Sequence, residues 1–162
     1  MMGKTHILGG IAAGCAAAAI CPDPVSKGAA IAAGAIGGLI PDIDHKNSNL
    51  SKKVPVLSWI VRLFAGHRGL FHCPLLYVLL AAILYSFLLP EMEWWRYGFY
   101  GLFAGIFSHL LLDSCTIHGI PMLFPFSKKN IHLLPIRTNS AGEMVVRMGL
   151  ICLSVCILLA CR

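Results

Sequence analysis

Five apolar runs constrain this chain more than any other feature of its sequence. They cover residues 7–20, 28–41, 73–89, 97–112 and 144–160. Hydrophobic residues make up 57% of the chain and charged residues only 12%, whereas an ordinary soluble domain carries about 25% charged residues. Apolar runs of this kind are typical of helices that cross a bilayer. We therefore predict an all-α fold, a polytopic membrane helical bundle of about five hydrophobic helices that forms one domain over residues 1–162.

The first two runs are shorter than the roughly 20 residues that a spanning helix needs. They either cross the membrane as short or tilted helices or enter and leave it on one side as a re-entrant pair. Each contains two glycines at a spacing that lets helices approach closely, Gly10 with Gly14 and Gly34 with Gly38. The first run also resembles a cleaved signal peptide, but the second run follows almost at once and favours retention of both as a hairpin.

The sequence between the runs predicts features of the membrane surface. Residues 54–64 are amphipathic enough to form an interfacial helix, and Trp94 with Trp95 reads as an interfacial aromatic belt. Residues 131–136 form a possible short extended piece in an otherwise irregular loop. The seven cysteines include no CxxC pair, which favours reduced thiols over a disulfide framework.

Lysine and arginine are distributed unequally between the two sides that five crossings would create. Nine fall on the side of the N-terminus and three on the other. The nine are Lys4, Lys46, Lys52, Lys53, Arg62, Arg68, Lys128, Lys129 and Arg137, and the three are Lys27, Arg96 and Arg162. Because cytoplasmic loops carry the excess of basic residues, we place the larger group in the cytoplasm.

The residue types that bind metals gather at the cytoplasmic ends of the same runs. They are His6, Asp42, Asp44, His67, His72, His109 and Asp113. Ionisable residues at membrane depth are costly and mark functional sites by default. We therefore expect these seven residues to converge on one metal site. The competing interpretation is that they only satisfy backbone groups and tie the helix ends together.

The spacing of these residues indicates what such a site can do. His109 and Asp113 are four residues apart and share one helix face, and Asp42 and Asp44 alternate in the polar stretch after the second run. Mixed histidine and aspartate ligands suit a hydrolytic centre with two or more divalent ions, zinc being favoured over manganese or iron. An arginine such as Arg68 can bind a phosphate through two hydrogen bonds.

The remaining ligand-type residues receive supporting or surface roles. We expect His45 to support the site without binding the metal, His118 to lie in a loop or behind the ligands, and His132 to lie on the surface. The role of Glu143 is left open.

Three segments carry a resemblance to a known family: LIPDIDH at 39–45, HRGLFH at 67–72 and SHLLLDSCTIHGIPMLFPF at 108–126. Together with the opening MMGKTHILGG they resemble the bacterial membrane-bound metal-dependent hydrolases of the LexA-regulated, YdjM-like family. The resemblance implies an inner-membrane hydrolase whose metal ligands are the seven residues named above. The histidine and aspartate set is also similar to that of zinc-dependent phospholipase C. Cys73 departs from the pattern, since serine or threonine is more usual after His72.

These observations lead to two functional hypotheses. The first is a metal-dependent hydrolase of a phosphoester in a lipid or lipid-linked substrate, acting at the cytoplasmic face of the inner membrane, with Asp44, Arg68 and His109 as catalytic residues. The alternative is a non-enzymatic membrane protein that binds, senses or transports a metal. Neither hypothesis predicts a nucleic-acid partner.

Overall fold

The structure is a computed structural model, and it describes residues 1–44, 71–88, 93–127 and 129–161. Five α-helices occupy most of this part of the chain, and no β-strand occurs in it. The helices are α1 (Gly3–Ala18), α2 (Pro24–Gly37), α3 (Pro74–Leu88), α4 (Glu93–Ser114) and α5 (Ala141–Ala160). A short 3-10 helix, Ile40–Asp44, follows α2. The all-α prediction is thus confirmed for the residues described.

Helices α2 and α5 begin at capping residues rather than where the apolar runs begin. Before α2, the Asp23 carboxylate accepts hydrogen bonds from the backbone N–H groups of Val25 (2.8 Å) and Ser26 (3.0 Å) and from the Ser26 hydroxyl (2.5 Å). The hydrogen bond from the Ser26 hydroxyl is the largest of the causes that lower the pKa of the Asp23 carboxyl group. Ser140 caps α5 in the same way. These polar caps satisfy the free N–H groups of a first helical turn, so these two helices start before the apolar runs that they contain.

Helix α2 packs against both α1 and α4, and backbone meets backbone at both contacts. A Cβ atom added to Gly34 would lie 2.5 Å from the Gly10 carbonyl oxygen and 2.8 Å from the Gly14 Cα atom. On the opposite side, a Cβ atom on Gly105 of α4 would come within 3.0 Å of the Gly34 Cα atom. Such distances leave room for hydrogen only, so the small-residue spacings seen in the sequence do mark close helix contacts.

The outer surfaces of α3 and α5 are apolar and exposed. Within the part of the chain that the structure describes, α5 is the one helix long and apolar enough to cross a membrane, and α3 contains a shorter apolar helix over Pro74–Phe87. On α5, Val145 and Leu159 are among the most exposed apolar side chains. Exposed apolar surface of this kind suits contact with lipid. That all five helices cross the membrane, or that α1 and α2 form a re-entrant pair, remains a prediction.

A small core holds α3 and the loop after α4 against the bundle. It consists of Tyr77, Phe103, Ile106, Leu110 and Ile120. The loop is folded by two isolated bridges, one pairing Thr116 with Ile136 and one pairing Ile120 with Ile131. The extended piece predicted at 131–136 is therefore present only as the two bridged residues Ile131 and Ile136. The predicted interfacial helix at 54–64 lies outside the described residues.

Gly34→Ala tests the packing around α2. The added methyl group would press on the backbone of α1, and overpacking of this kind costs about 1–3 kcal/mol. We expect a lower midpoint of thermal unfolding for the purified protein in mild detergent.

Gly28→Ala is the matched control, because a Cβ atom at this position of α2 meets nothing within 4 Å. Alanine stabilises an open helical position by about 0.5–1 kcal/mol relative to glycine, so this variant should unfold at the same or a higher temperature. Equal destabilisation by both substitutions would contradict the close packing.

Candidate metal centre

Five of the seven predicted ligands meet at one end of the bundle. His6 comes from the first turns of α1, Asp42 from the 3-10 helix, His72 from the residues just before α3, and His109 and Asp113 from the last two turns of α4. The other two lie beyond what the structure describes, since it gives only the backbone of Asp44 and does not cover His67. Arg68 and His45 also fall in the undescribed segment. Four separate pieces of chain thus supply the described ligands.

His109 is fully buried, and its hydrogen bonding fixes which ring nitrogen carries the proton. Its Nδ1 atom lies 2.8 Å from the Gly38 carbonyl oxygen. A carbonyl oxygen can only accept a hydrogen bond, so Nδ1 is the donor. In the neutral ring, Nε2 then presents a lone pair. Holding one ring nitrogen with a backbone carbonyl while the other faces a metal is a common arrangement of histidine ligands.

The Nε2 atom of His109 faces two carboxylates. It lies 3.5 Å from Asp113 Oδ2 and 3.8 Å from Asp42 Oδ1, and among the described residues it has no hydrogen-bond partner. A lone pair that faces two negative oxygens is unfavourable unless a cation lies between them or the ring takes up a second proton. Buried polar atoms are normally satisfied, so this atom is the strongest local indication of a cation-binding site.

His72 forms a group of three with Asp42 and His109, whose donor atoms all lie within 4.8 Å of one another, and His6, His109 and Asp113 form a second such group. The His72 Nε2 atom lies 4.0 Å from Asp42 Oδ1 and 3.7 Å from Asp113 Oδ2. Ligands at about 2.0–2.1 Å from a tetrahedral zinc ion stand about 3.3 Å from one another. The four distances of 3.5–4.0 Å from the Nε2 atoms of His72 and His109 to the carboxylate oxygens of Asp42 and Asp113 need only a small contraction to reach that value. The donor set therefore fits a divalent ion.

His6 lies on the other side of Asp113. Its ring stacks on His109 with centroids 3.7 Å apart, and its Nε2 atom lies 3.1 Å from Asp113 Oδ1 without forming a hydrogen bond of good geometry. The α-amino group of Met1 contacts the same oxygen. Asp113 therefore directs one oxygen toward His6 and the other toward His72 and His109. A carboxylate placed in this way can bridge two cations.

Hydrogen bonds from two side chains to backbone carbonyl oxygens hold the segment that carries His72. The Tyr77 hydroxyl donates to the Phe71 carbonyl oxygen at 3.0 Å, and the Cys73 thiol donates to the Phe124 carbonyl oxygen at 2.9 Å. Cys73 is buried and faces away from the ligands. The residue that departs from the family pattern thus fastens the start of α3 to the loop after α4.

A buried carboxylate outside the predicted ligand set orders the start of α1. Glu143 is inaccessible to solvent, and it accepts hydrogen bonds from Met2 N (2.6 Å), Thr5 Oγ1 (2.5 Å) and Asn139 N (2.6 Å). Because Thr5 precedes His6, these bonds fix the turn of α1 that presents the His6 ring. The sequence left the role of Glu143 open, and only the position of Thr5 beside His6 hinted at this contact.

Two histidines lie away from the site, as predicted. His118 and His132 are exposed in the loop after α4, and neither belongs to a group of described residues that could hold a metal. The His118 carbonyl oxygen accepts a hydrogen bond from Asn130, which is a contact within the loop.

The described ligands differ in how far their side chains are exposed. The side chains of His6 and His109 are at most 1% exposed, whereas those of Asp42, Asp113 and His72 are 21%, 16% and 14% exposed. Structural zinc sites are closed by protein ligands, and catalytic sites keep a position for water or substrate. The exposed side of the ligand set offers such a position.

Glu143→Ala tests the contact between α1 and α5. It removes the acceptor of three hydrogen bonds, and a buried donor left without a partner costs about 1–3 kcal/mol. We expect a clear loss of thermal stability in detergent, and a smaller loss for Glu143→Gln because the amide oxygen still accepts. Asn130→Ala, in the exposed loop, should change stability by less than about 0.5 kcal/mol. Wild-type stability of Glu143→Ala would show that these bonds do not order α1.

Comparison with known proteins places the chain in a family. The family model described as YdjM inner membrane protein matches residues 1–161. Protein YvsG of Bacillus subtilis (strain 168) is 41% identical over 152 residues, which cover 93% of this chain and 89% of YvsG. Inner membrane protein YdjM of Escherichia coli (strain K12) is 34% identical over 112 residues, 67% of this chain and 55% of that protein. The same values hold for YdjM of Shigella flexneri. No solved structure matches significantly. The chain belongs to the YdjM inner membrane protein family, and the inner-membrane location predicted from its sequence agrees with the name of that family.

Proposed function

We propose that this protein is a metal-dependent hydrolase that cleaves a phosphoester in a lipid or lipid-linked substrate. The observation that carries the proposal is the buried Nε2 atom of His109, which faces carboxylate oxygens of Asp42 and Asp113 while Nδ1 bonds to the Gly38 carbonyl oxygen. Such a cluster is the donor chemistry of zinc, manganese or iron sites. Its partial exposure supports a site that admits a substrate.

The residues of the centre have distinct parts in this proposal. Asp42, His72, His109 and Asp113, with His6 beside them, would hold the divalent metal. Asp44 and His67 are proposed to complete the ligand set. When bound, such ions activate water and neutralise negative charge on a phosphoryl group.

The reaction itself needs only water and the phosphoester. Water adds to phosphorus, the ester P–O bond breaks, and the products are an alcohol and a phosphate. Arg68 is proposed to bind two phosphoryl oxygens, since guanidinium groups match phosphate geometry. His109 and Asp44 are proposed to act at the reacting centre.

A lipid substrate is supported by where the centre lies in the chain. It forms at the end of the bundle where α5 begins, and α5 is the helix long enough to span a membrane. This position supports a centre near the depth of lipid headgroups. The excess of lysine and arginine on this side of the predicted topology favours the cytoplasmic face, and it attracts phosphate-bearing substrates.

The alternative proposal is a protein that binds, senses or transports a metal without catalysis. This alternative has the same metal ligands as the hydrolase proposal. It differs in that no phosphoester substrate binds at the centre. Measurements of metal content and of phosphoester hydrolysis on the same samples separate the two functions.

The metal content of purified protein tests the ligand set. We expect zinc, manganese or iron near stoichiometry in the wild type, measured by elemental analysis after purification in detergent. Loss of a group that only supports a ligand lowers metal affinity about 10–100-fold, so loss of a ligand should cost at least as much. Asp113→Asn, His109→Ala and Asp44→Ala should each lose most of the metal.

Two controls carry the same chemical changes away from the centre. Asp23→Asn replaces a carboxylate at the opposite end of the bundle with another good helix cap, and His132→Ala replaces an exposed loop histidine. Both should keep the wild-type metal content. A wild type that retains no metal, or ligand variants that retain all of it while folded, would contradict the proposed centre.

Hydrolysis is tested with phosphatidic acid and with phosphatidylglycerol in detergent micelles. We expect the metal-loaded wild type to release inorganic phosphate or phosphorylated headgroup, a chelator to abolish the release, and added metal to restore it. Asp113→Asn should be inactive under all three conditions, and Asp23→Asn should behave as the wild type. Stoichiometric metal with no release from either lipid would contradict a phosphoesterase acting on these lipids and favour the non-enzymatic alternative.

A further inference from the structure

The loop between α4 and α5 has an unusual charge composition for its length. Residues 114–142 contain no aspartate or glutamate and three basic residues, Lys128, Lys129 and Arg137. The two acidic residues that flank the loop, Asp113 and Glu143, are engaged in the contacts described above. Any surface formed by this loop is therefore positively charged.

The tip of this loop, of which the structure describes residues 121–127 and 129–130, is folded so that two large apolar side chains face outward. The bridge between Ile120 and Ile131 closes the base of the tip, and the Ser127 backbone N–H donates to the Leu123 carbonyl oxygen at 2.9 Å. Yet the Leu123 side chain is 58% exposed and that of Phe126 is 88% exposed. Ordered backbone that presents large apolar side chains to the outside indicates a binding surface.

The fold places this tip beside helices with lipid-type surfaces. The Phe124 carbonyl oxygen accepts from Cys73, the residue directly before α3, at 2.9 Å, and Met122 packs against the core that contains Tyr77 of α3. The exposed apolar side chains of α3 therefore begin at the level of the tip. The loop then leads into α5, the candidate membrane span. The tip thus lies where the membrane surface meets the bundle.

We propose that the tip inserts Leu123 and Phe126 into the lipid monolayer on the side of the metal centre, with Lys129 among anionic headgroups. Apolar side chains that enter the acyl boundary, flanked by basic residues that meet the headgroups, are the combination by which surface segments bind anionic membranes. Each basic residue near such a surface contributes about 1 kcal/mol. Anionic phospholipid is preferred over a protein partner because the loop carries no acidic side chain at all. This inference stands independently of the hydrolase proposal.

The test uses the full chain reconstituted in vesicles and a dye at the position of Phe126. An azide-bearing phenylalanine is incorporated there and coupled to an environment-sensitive nitrobenzoxadiazole dye. The vesicles contain phosphatidylcholine with one-quarter phosphatidylglycerol, or phosphatidylcholine alone. We expect quenching by lipids with a nitroxide on the acyl chain, protection from aqueous iodide, and weaker lipid quenching without phosphatidylglycerol. The same dye at Thr138, an exposed polar position outside the tip, should be quenched mainly by iodide.

A charge substitution tests the headgroup contact. Lys129→Glu should lower the insertion equilibrium of the dye at least about fivefold, the factor that one basic residue near an anionic surface contributes. Lys4→Glu changes the net charge equally at an exposed position of α1 and should leave insertion unchanged. Equal effects of both substitutions would contradict the headgroup contact.

The unmodified protein provides a second measurement that does not depend on the dye. Amide hydrogen exchange in peptides of the tip should slow on transfer from phosphatidylcholine vesicles to those with phosphatidylglycerol. Equal exchange in both vesicles, or a dye at position 126 open to iodide in both, overturns the proposal. A dye protected from both quenchers also overturns it, because protein, such as a second copy of the chain, would then cover the tip.

Discussion

Backbone contact across α2 is the constraint on which the rest of the described structure depends. Gly34 lies between Gly10 and Gly14 of α1 on one side and Gly105 of α4 on the other, at distances that admit no side chain. This contact brings α1 and α4 close enough for the rings of His6 and His109 to stack 3.7 Å apart. It also brings the end of α2 to α4, where the Gly38 carbonyl oxygen accepts a hydrogen bond from His109 Nδ1 and so keeps the proton on that nitrogen. A chain of ordinary side-chain sizes would separate these groups.

The second constraint is electrostatic. Asp42 and Asp113 both direct a carboxylate oxygen toward His72 and His109 in a partly buried site. The chain has only seven acidic residues. Buried charges are stable when they are paired or bind a metal. The described neighbours of Asp113 are the Met1 amino group and three imidazole rings. A divalent ion would compensate both carboxylates and would use the lone pair of His109 Nε2.

Much of this arrangement could be predicted from the sequence, for physical reasons. The apolar runs locate the helices because burial in lipid or in a core selects for uninterrupted apolar residues. Five ligand-type residues lie at the ends of apolar runs. When successive runs cross the membrane in alternate directions, these ends fall on the same side, so the sequence could predict that the five residues lie close together. What the sequence could not supply are contacts that depend on atomic positions. The hydrogen bond from His109 to the Gly38 carbonyl oxygen has no counterpart in the periodicity of the sequence. The same holds for the hydrogen bond between Thr5 and Glu143, which are 138 residues apart. The Asp44 side chain, His67 and Arg68 lie outside the part of the chain that the structure describes, and their roles remain predictions.

X-ray absorption at the metal edge of the purified, metal-loaded protein tests the central claim most directly. We expect a shell of nitrogen and oxygen ligands with the outer scattering of imidazole rings, and a weaker imidazole contribution in His109→Ala. No sulfur ligand is expected despite seven cysteines, because Cys73, the cysteine next to His72, directs its thiol to the Phe124 carbonyl oxygen. A shell containing sulfur, or one of water oxygens without imidazole, would contradict a centre built from these histidines and aspartates.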